Sequence, residues 1–294
     1  MMLLADAPAA SPAAGAVMAR ARGENFPVAS RVLPRRAREH LLAVYGFARL
    51  VDEVGDAAGG DRLAQLDAIE ADLDRAFAGR AAHPLLVRLQ PTLRECSLPR
   101  GPFARLIEAN RVDQRAARYE TWEQLRAYCS LSADPVGEIV LRVFGVATPA
   151  RVALSDSICT ALQLAEHCQD VAEDLRAGRI YLPAQDMRRF GCREQDLAAP
   201  APGARGAPAP ALQKLLAFEL ARARELMDAG RPLLAELHGR LRVAVAAFVA
   251  GGEAALDAIE RAGYDVRHGP PRASRARRAV ALAAELTGRH HAGR

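Results

Sequence analysis

The chain has 294 residues, half of them hydrophobic, few aromatics and a net charge of +5, enough apolar material for one large core or two small ones. The positive charge is almost all arginine, Lys214 being the sole lysine. No zinc-finger, basic-region or aromatic RNA-binding signature accompanies it, so nucleic acid is not an expected partner.

Residues 1–22 are rich in Ala and Pro and are expected to form a flexible N-terminal segment. Helix formers dominate the rest of the chain and no alternating strand pattern stands out, so the expected class is all-α. Helical patterns run over 35–57, 61–79, 83–97, 101–118, 121–146 and 149–177. Pro84, Pro99, Pro102 and Pro149 fall near helix starts, where the missing N–H costs little. RAGRIYLP, with Gly178 and Pro183, then breaks the pattern. Segment 198–211 (LAAPAPGARGAPAP) reads as a low-complexity loop. Helices resume over 212–229, 231–250, 252–262 and 273–287, so residues 23–294 are expected to form one domain.

The five cysteines, at 96, 129, 159, 168 and 192, lack metal-site spacing, and their odd number argues against a disulfide framework. Buried thiols in a reducing compartment are expected. The opening MMLLADAPAASPAAG lacks a basic region followed by a sustained apolar run, so no signal peptide is expected. The most apolar stretch, 238–250, is too short to span a bilayer. The expected location is cytoplasmic, with peripheral contact at the inner face of the cell membrane.

Two helical stretches carry one polar stripe each, with the same spacing. In YGFARLVDEVGD the stripe is Tyr45, Arg49, Asp52 and Asp56; in QLAEHCQDVAED it is Gln163, His167, Asp170 and Asp174. On a helix these offsets place all four side chains on one face, and each face ends in two carboxylates one turn apart. A lone Asp-x-x-x-Asp is usually a solvated surface. Here each stripe lies in a segment apolar around most of its circumference, where paired carboxylates need a partner. Magnesium suits carboxylate oxygens and keeps room for water and phosphate. Two such faces across a helical cavity could bind and activate a diphosphate leaving group. Arg49, Arg176 and Arg179 lie on or beside the stripes as phosphate ligands, with Arg35 and Arg36 as further candidates. Phe26, Tyr45 and Phe47 could face cationic carbon, although core packing explains each as well. No dinucleotide-binding glycine fingerprint is present, so no NADPH use is expected.

Taken in order, NFPVASRVLPRRAR, YGFARLVDEVGD, RVDQRAARYETWEQLRAYC, ADPVGE, QLAEHCQDVAEDLRAGRIYLP and GYDVRHGPPRASRARR resemble the squalene/phytoene synthase family over about residues 24–280. The resemblance implies an isoprenoid-synthase helical bundle around a central apolar cavity, acting on a prenyl diphosphate with Mg²⁺, which Mn²⁺ can replace. It makes Asp52, Asp56, Asp170 and Asp174 catalytic metal ligands. Arg49 would contact diphosphate, and Gln163 would line the cavity. ENFPVAS and SADPVG resemble the hopanoid-pathway branch that turns presqualene diphosphate into hydroxysqualene, with substrate handed over from a presqualene diphosphate synthase. The alternative in the same fold is condensation of two farnesyl or geranylgeranyl diphosphates into squalene or phytoene. A non-catalytic helical scaffold is the third reading, and the four aspartates speak against it.

The chain departs from the family pattern at three places. Glu166 stands where relatives carry Asn, and it can also ligate Mg²⁺. Gln169 replaces an arginine before Asp170. The family's cavity tyrosine near position 130 is Ser130 or is displaced to Tyr128.

Overall fold

The computed structural model describes residues 33–56, 59–199 and 206–288. Among them no strand forms; a single isolated bridge pairs Arg118 with Ile180. The expected all-α class therefore holds. Segment 1–22, expected to be flexible, Phe26, the NFPVAS motif and residues 200–205 of the low-complexity loop lie outside the described residues.

The chain groups into two compact units. The first comprises the described residues up to Arg115 together with Glu138–Ala147; the second comprises Ala116–Gly137 and the described residues from Thr148 on.

Four helices build most of the first unit: α1 (Arg35–Asp56), α2 (Arg62–Phe77), α3 (Pro84–Glu95) and α4 (Arg100–Asp113). In α1, Val44, Phe47, Val51 and Val54 recur at steps of three and four, so they share one buried face. They join Leu66, Leu73, Leu86, Leu89, Phe103 and Ile107 in one core. Phe47 meets Phe103 edge-on at 5.2 Å, so its role is packing. Helix starts follow the sequence: Asp61 accepts from the Ala64 amide, and His83, preceding Pro84, accepts from the Leu85 amide. Asp72 is buried and accepts from the amides of Ala82 and His83, each at 2.8 Å, fixing the approach to α3.

The stretch expected as one helix over 121–146 divides into α5 (Trp122–Ser132) and α6 (Asp134–Val143). Pro135 lacks the N–H needed to continue the ladder, and a new helix starts around it. Asp134 is buried, accepting from Thr160 and from Arg126, both at 2.8 Å. The second unit continues with α7 (Pro149–Gln169), α8 (Val171–Arg176), α9 (Ala184–Phe190), α10 (Glu194–Leu197), α11 (Pro210–Gly230), α12 (Leu233–Glu236), α13 (Gly239–Arg261) and α14 (Arg275–Thr287). The short α9 and α10 have no counterpart in the sequence pattern. The break expected at 251 is absent. Gly251 and Gly252 stay inside α13, and at Gly252 a Cβ would crowd Leu162 of α7 and Met227 of α11. The glycine there serves close packing, which outweighs its poor helix propensity. Leu212, Leu215, Leu216, Leu220 and Met227 of α11 bury fully in this unit, whose longest packed pair is α7 with α11. Arg231 binds Glu285 and Glu253, tying α14 to α13.

All five cysteines are free, and Cys129, Cys168 and Cys192 are buried, as the sequence suggested. No helix among the described residues is long and apolar enough to cross a membrane.

Candidate active site

The first stripe closes α1. Tyr45 is buried, Arg49 and Asp52 are half-buried, and Asp56 is exposed. The expectation that this apolar helix would keep its aspartates from water is thus corrected, because the stripe occupies the face that α1 does not commit to the core. Arg49 approaches Asp52 at 3.8 Å and Glu53 at 4.0 Å. Asn110 of α4 donates to Asp52 Oδ1 at 3.4 Å and to the Leu106 carbonyl at 3.2 Å. Gln114 and Arg62 donate to the Gly55 carbonyl at 2.9 and 3.2 Å, satisfying the helix end. Arg62 also places positive charge where the helix dipole is negative. Arg35 and Arg36 stand apart, in exposed ion pairs with Glu39 and Glu95.

The second stripe lies in the second unit and differs from the expected single helix over 149–177. The ladder is interrupted at Asp170, which ends α7 and precedes α8. The one-turn spacing survives, since the Asp174 amide donates to the Asp170 carbonyl at 2.8 Å. The Arg179 amide donates to the Asp174 carbonyl at the same distance. Glu166, Asp170 and Asp174 are half-buried, whereas Arg176 is exposed. Burial pushes the Asp170 carboxyl above its ordinary range, Glu173 adds to the push, and Arg272 opposes it.

His167 holds the place in this stripe that Arg49 holds in the first, and its chemistry differs. Its Nε2 lies 3.0 Å from the Gln163 amide nitrogen, and its ring stacks on Tyr181 at 4.2 Å. Tyr181 in turn stacks with Tyr128 and Tyr119. Burial holds the imidazole neutral, with its pKa lowered to about 3. Of the two positions expected near 130, Tyr128 lies in this stack, and Ser130 donates to the Ala127 carbonyl.

The GRIYLP segment reaches Tyr181 by a route that periodicity could not show. Gly178, at φ +83°, turns the chain out of α8. The Ile180 amide then donates to the Ala117 carbonyl and the Ala184 amide to Tyr119. Arg118 clamps the turn through the Gly178 carbonyl and a two-pronged pair with Glu194. In the first unit Asn110 and Glu53 adjoin the first stripe, and in the second unit Glu173 and the tyrosine stack adjoin the second, beyond the residues that the stripes mark. Glu53 and Glu173 are visible in the sequence as acids adjoining the stripes; Asn110 and the stack depend on tertiary contacts.

The aspartate pair that ends each stripe offers oxygen donors. Among the described residues no three His, Cys, Asp or Glu groups come together where they could hold a metal ion by themselves. An ion that keeps waters and takes substrate phosphates as ligands does not need such a set. Asp170 is a half-buried carboxylate with a like charge beside it, a setting that a divalent cation would relieve. The residues therefore fit Mg²⁺ in kind.

The squalene/phytoene synthase family model matches residues 19–282. The chain is 37% identical over 221 residues to hydroxysqualene synthase of Rhodopseudomonas palustris, covering 74% of this chain and 72% of that protein. It is 31% identical over 258 residues to phytoene synthase of Arthrospira platensis, covering 83% and 82%. The solved structure of squalene synthase HpnC from Alicyclobacillus acidocaldarius is similar at 46% identity and a TM-score of 0.77, covering 84% of this chain and 92% of that one.

Proposed function

The chain belongs to the squalene/phytoene synthase family, and we propose that it converts presqualene diphosphate and water into hydroxysqualene and diphosphate. The observation that carries this reading is the paired stripe of carboxylates, in a chain whose relatives include hydroxysqualene synthases.

Magnesium held by Asp52 and Asp56, and by Asp170 and Asp174 with Glu166, would neutralise diphosphate as it leaves. Manganese would serve in its place. The half-buried Arg49 and Arg179 bind phosphate oxygens, and Arg176 draws in the anion from the surface. The carbon–oxygen bond breaks with its electron pair going to diphosphate. The tyrosine stack with neutral His167 offers π faces to the cation and carries no competing positive charge. Gln163 orients the imidazole through its amide. Water finally adds its oxygen to the rearranged cation and loses a proton. No electrons are exchanged in that balance, so no NADPH is consumed. Substrate arrives from a presqualene diphosphate synthase, with peripheral contact at a membrane that holds the lipid product.

Condensation of two farnesyl or geranylgeranyl diphosphates is the second reading, favoured by the similarity to phytoene synthase over most of the chain. Purified protein is incubated with Mg²⁺ and either presqualene diphosphate or farnesyl diphosphate, and the extracted lipids are analysed by mass spectrometry. Hydroxysqualene from presqualene diphosphate alone supports the first reading. Squalene or phytoene from the simple prenyl diphosphates supports the second.

A further inference from the structure

His167 is only 5% exposed, among the rings of Tyr181 and Tyr128. Two contacts leave its ring one orientation. Tyr181 lies parallel to it within 6° at 4.2 Å, which sets the plane of the imidazole. The Gln163 amide nitrogen, 3.0 Å from Nε2, sets the rotation within that plane. An amide nitrogen only donates, so Nε2 accepts and the neutral ring carries its one proton on Nδ1. A doubly protonated ring would turn two donors on each other at that contact.

The Nδ1–H bond therefore points in one fixed direction, and Nδ1 meets no hydrogen-bond partner among the described residues. A buried donor left unpaired is costly, so an acceptor that these residues do not supply belongs there. The place lies three residues before Asp170, at the end of α7, beside the carboxylates of the second stripe. Water suits it. A water oxygen is small, accepts one hydrogen bond from Nδ1–H and keeps a second lone pair for bonding to carbon.

We propose that the Nδ1–H group of His167 holds the water molecule that adds to the rearranged cation. This rests on the hydroxysqualene reading of the reaction. The free lone pair of the held oxygen forms the carbon–oxygen bond. The proton that the oxygen then sheds passes to the diphosphate freed in the same turnover. His167 touches the reacting oxygen and neither gains nor loses a proton, because its Nε2 lone pair is committed to Gln163. Gln163 is a positioning residue that acts through the ring.

One measurement needs no turnover. The full chain, labelled with ¹⁵N at histidine, is studied by NMR, and His167→Phe identifies the signals of His167. The parent should carry the proton on Nδ1. Gln163→Glu, whose carboxylate accepts from Nε2–H, should move it to Nε2. A parent protonated on Nε2 overturns the proposal. A second measurement counts hydroxysqualene formed per diphosphate released, from Mg²⁺ and presqualene diphosphate, with circular dichroism as a fold control. His167→Phe keeps a stacked ring and loses the donor. Its alcohol fraction should fall about tenfold, with alkenes formed by proton loss taking its place, and His167→Asn, which returns an amide donor, should recover part of it. A merely structural role would slow diphosphate release and leave the fraction unchanged, and that result overturns the proposal. Weaker binding of inorganic diphosphate in excess Mg²⁺ to His167→Phe also overturns it, because the donor would then serve the leaving group. An unchanged fraction in the variant, beside a parent that makes hydroxysqualene, sinks this inference alone. A parent that releases diphosphate and makes no hydroxysqualene sinks the reading of the reaction, and this inference with it.

Discussion

Asn110 donates its side-chain amide to Asp52 across a point where α1 carries no side chain. A Cβ on Gly55 would overlap Asn110 Oδ1, so the glycine and the amide together set the carboxylate's surroundings. Gly55→Ala should therefore act twice. It forces Asn110 aside, costing about 1–3 kcal/mol as an overpacked core site does, and it lowers turnover by misplacing Asp52. Thermal melts and steady-state rates on the same samples check this. A stable variant with full activity would show that the amide contact is incidental.

Replacement of a metal-binding carboxylate removes charge with almost no change of shape. Asp52→Asn and Asp170→Asn should each lower turnover by a factor of at least about a hundred, the scale of losing one electrostatic stabiliser. Their melting temperatures should stay near that of the parent protein. An active variant would remove its stripe from the proposed site.

Chelation should abolish turnover and leave the helical fold intact. The core of each unit is built from apolar side chains, and the helices that carry the stripes are already held by those side chains. Circular dichroism and product formation are followed while EDTA and then Mg²⁺ are added. Melting on chelation would make the metal structural, and undiminished turnover would exclude a metal role.

Glu219 gives the fold a pH dependence of known sign. It is fully buried on α11, with Oε2 accepting from Arg222 at 2.6 Å and Oε1 lacking a hydrogen-bond partner. Burial, the main cause, pushes its carboxyl up to about 7; Arg222 pulls it down and Asp186 pushes it up. The folded state thus holds this proton more tightly than the unfolded chain does. The associated stability is full below the ordinary carboxylate value and is lost as pH rises through about 7. Between pH of about 5 and 8, Tm of the parent should fall relative to that of Glu219→Gln. Parallel profiles would mean that Glu219 stays ionised throughout.

Much of this was legible from spacing. Val44, Phe47, Val51 and Val54 mark the buried face of α1, and the two aspartate pairs keep their one-turn separation. What spacing hid was decided by tertiary contacts. Pro135 restarts a helix that looked continuous, whereas Gly251 and Gly252 stay inside α13, where Gly252 leaves room for Leu162 and Met227. His167 matched Arg49 by position yet is a buried neutral ring, because the aromatic neighbours that stack on it come from other segments of the chain. Asn110 is likewise remote in sequence from Asp52, the carboxylate to which it donates.

Oxygen transfer from water tests the proposed reaction most directly. Purified protein is given Mg²⁺ and presqualene diphosphate in ¹⁸O-labelled water without reductant, and the extracted product is analysed by mass spectrometry. The account predicts hydroxysqualene carrying one ¹⁸O in its tertiary hydroxyl, in amounts unaffected by NADPH. Unlabelled alcohol, or squalene appearing when NADPH is added to this protein alone, would contradict it.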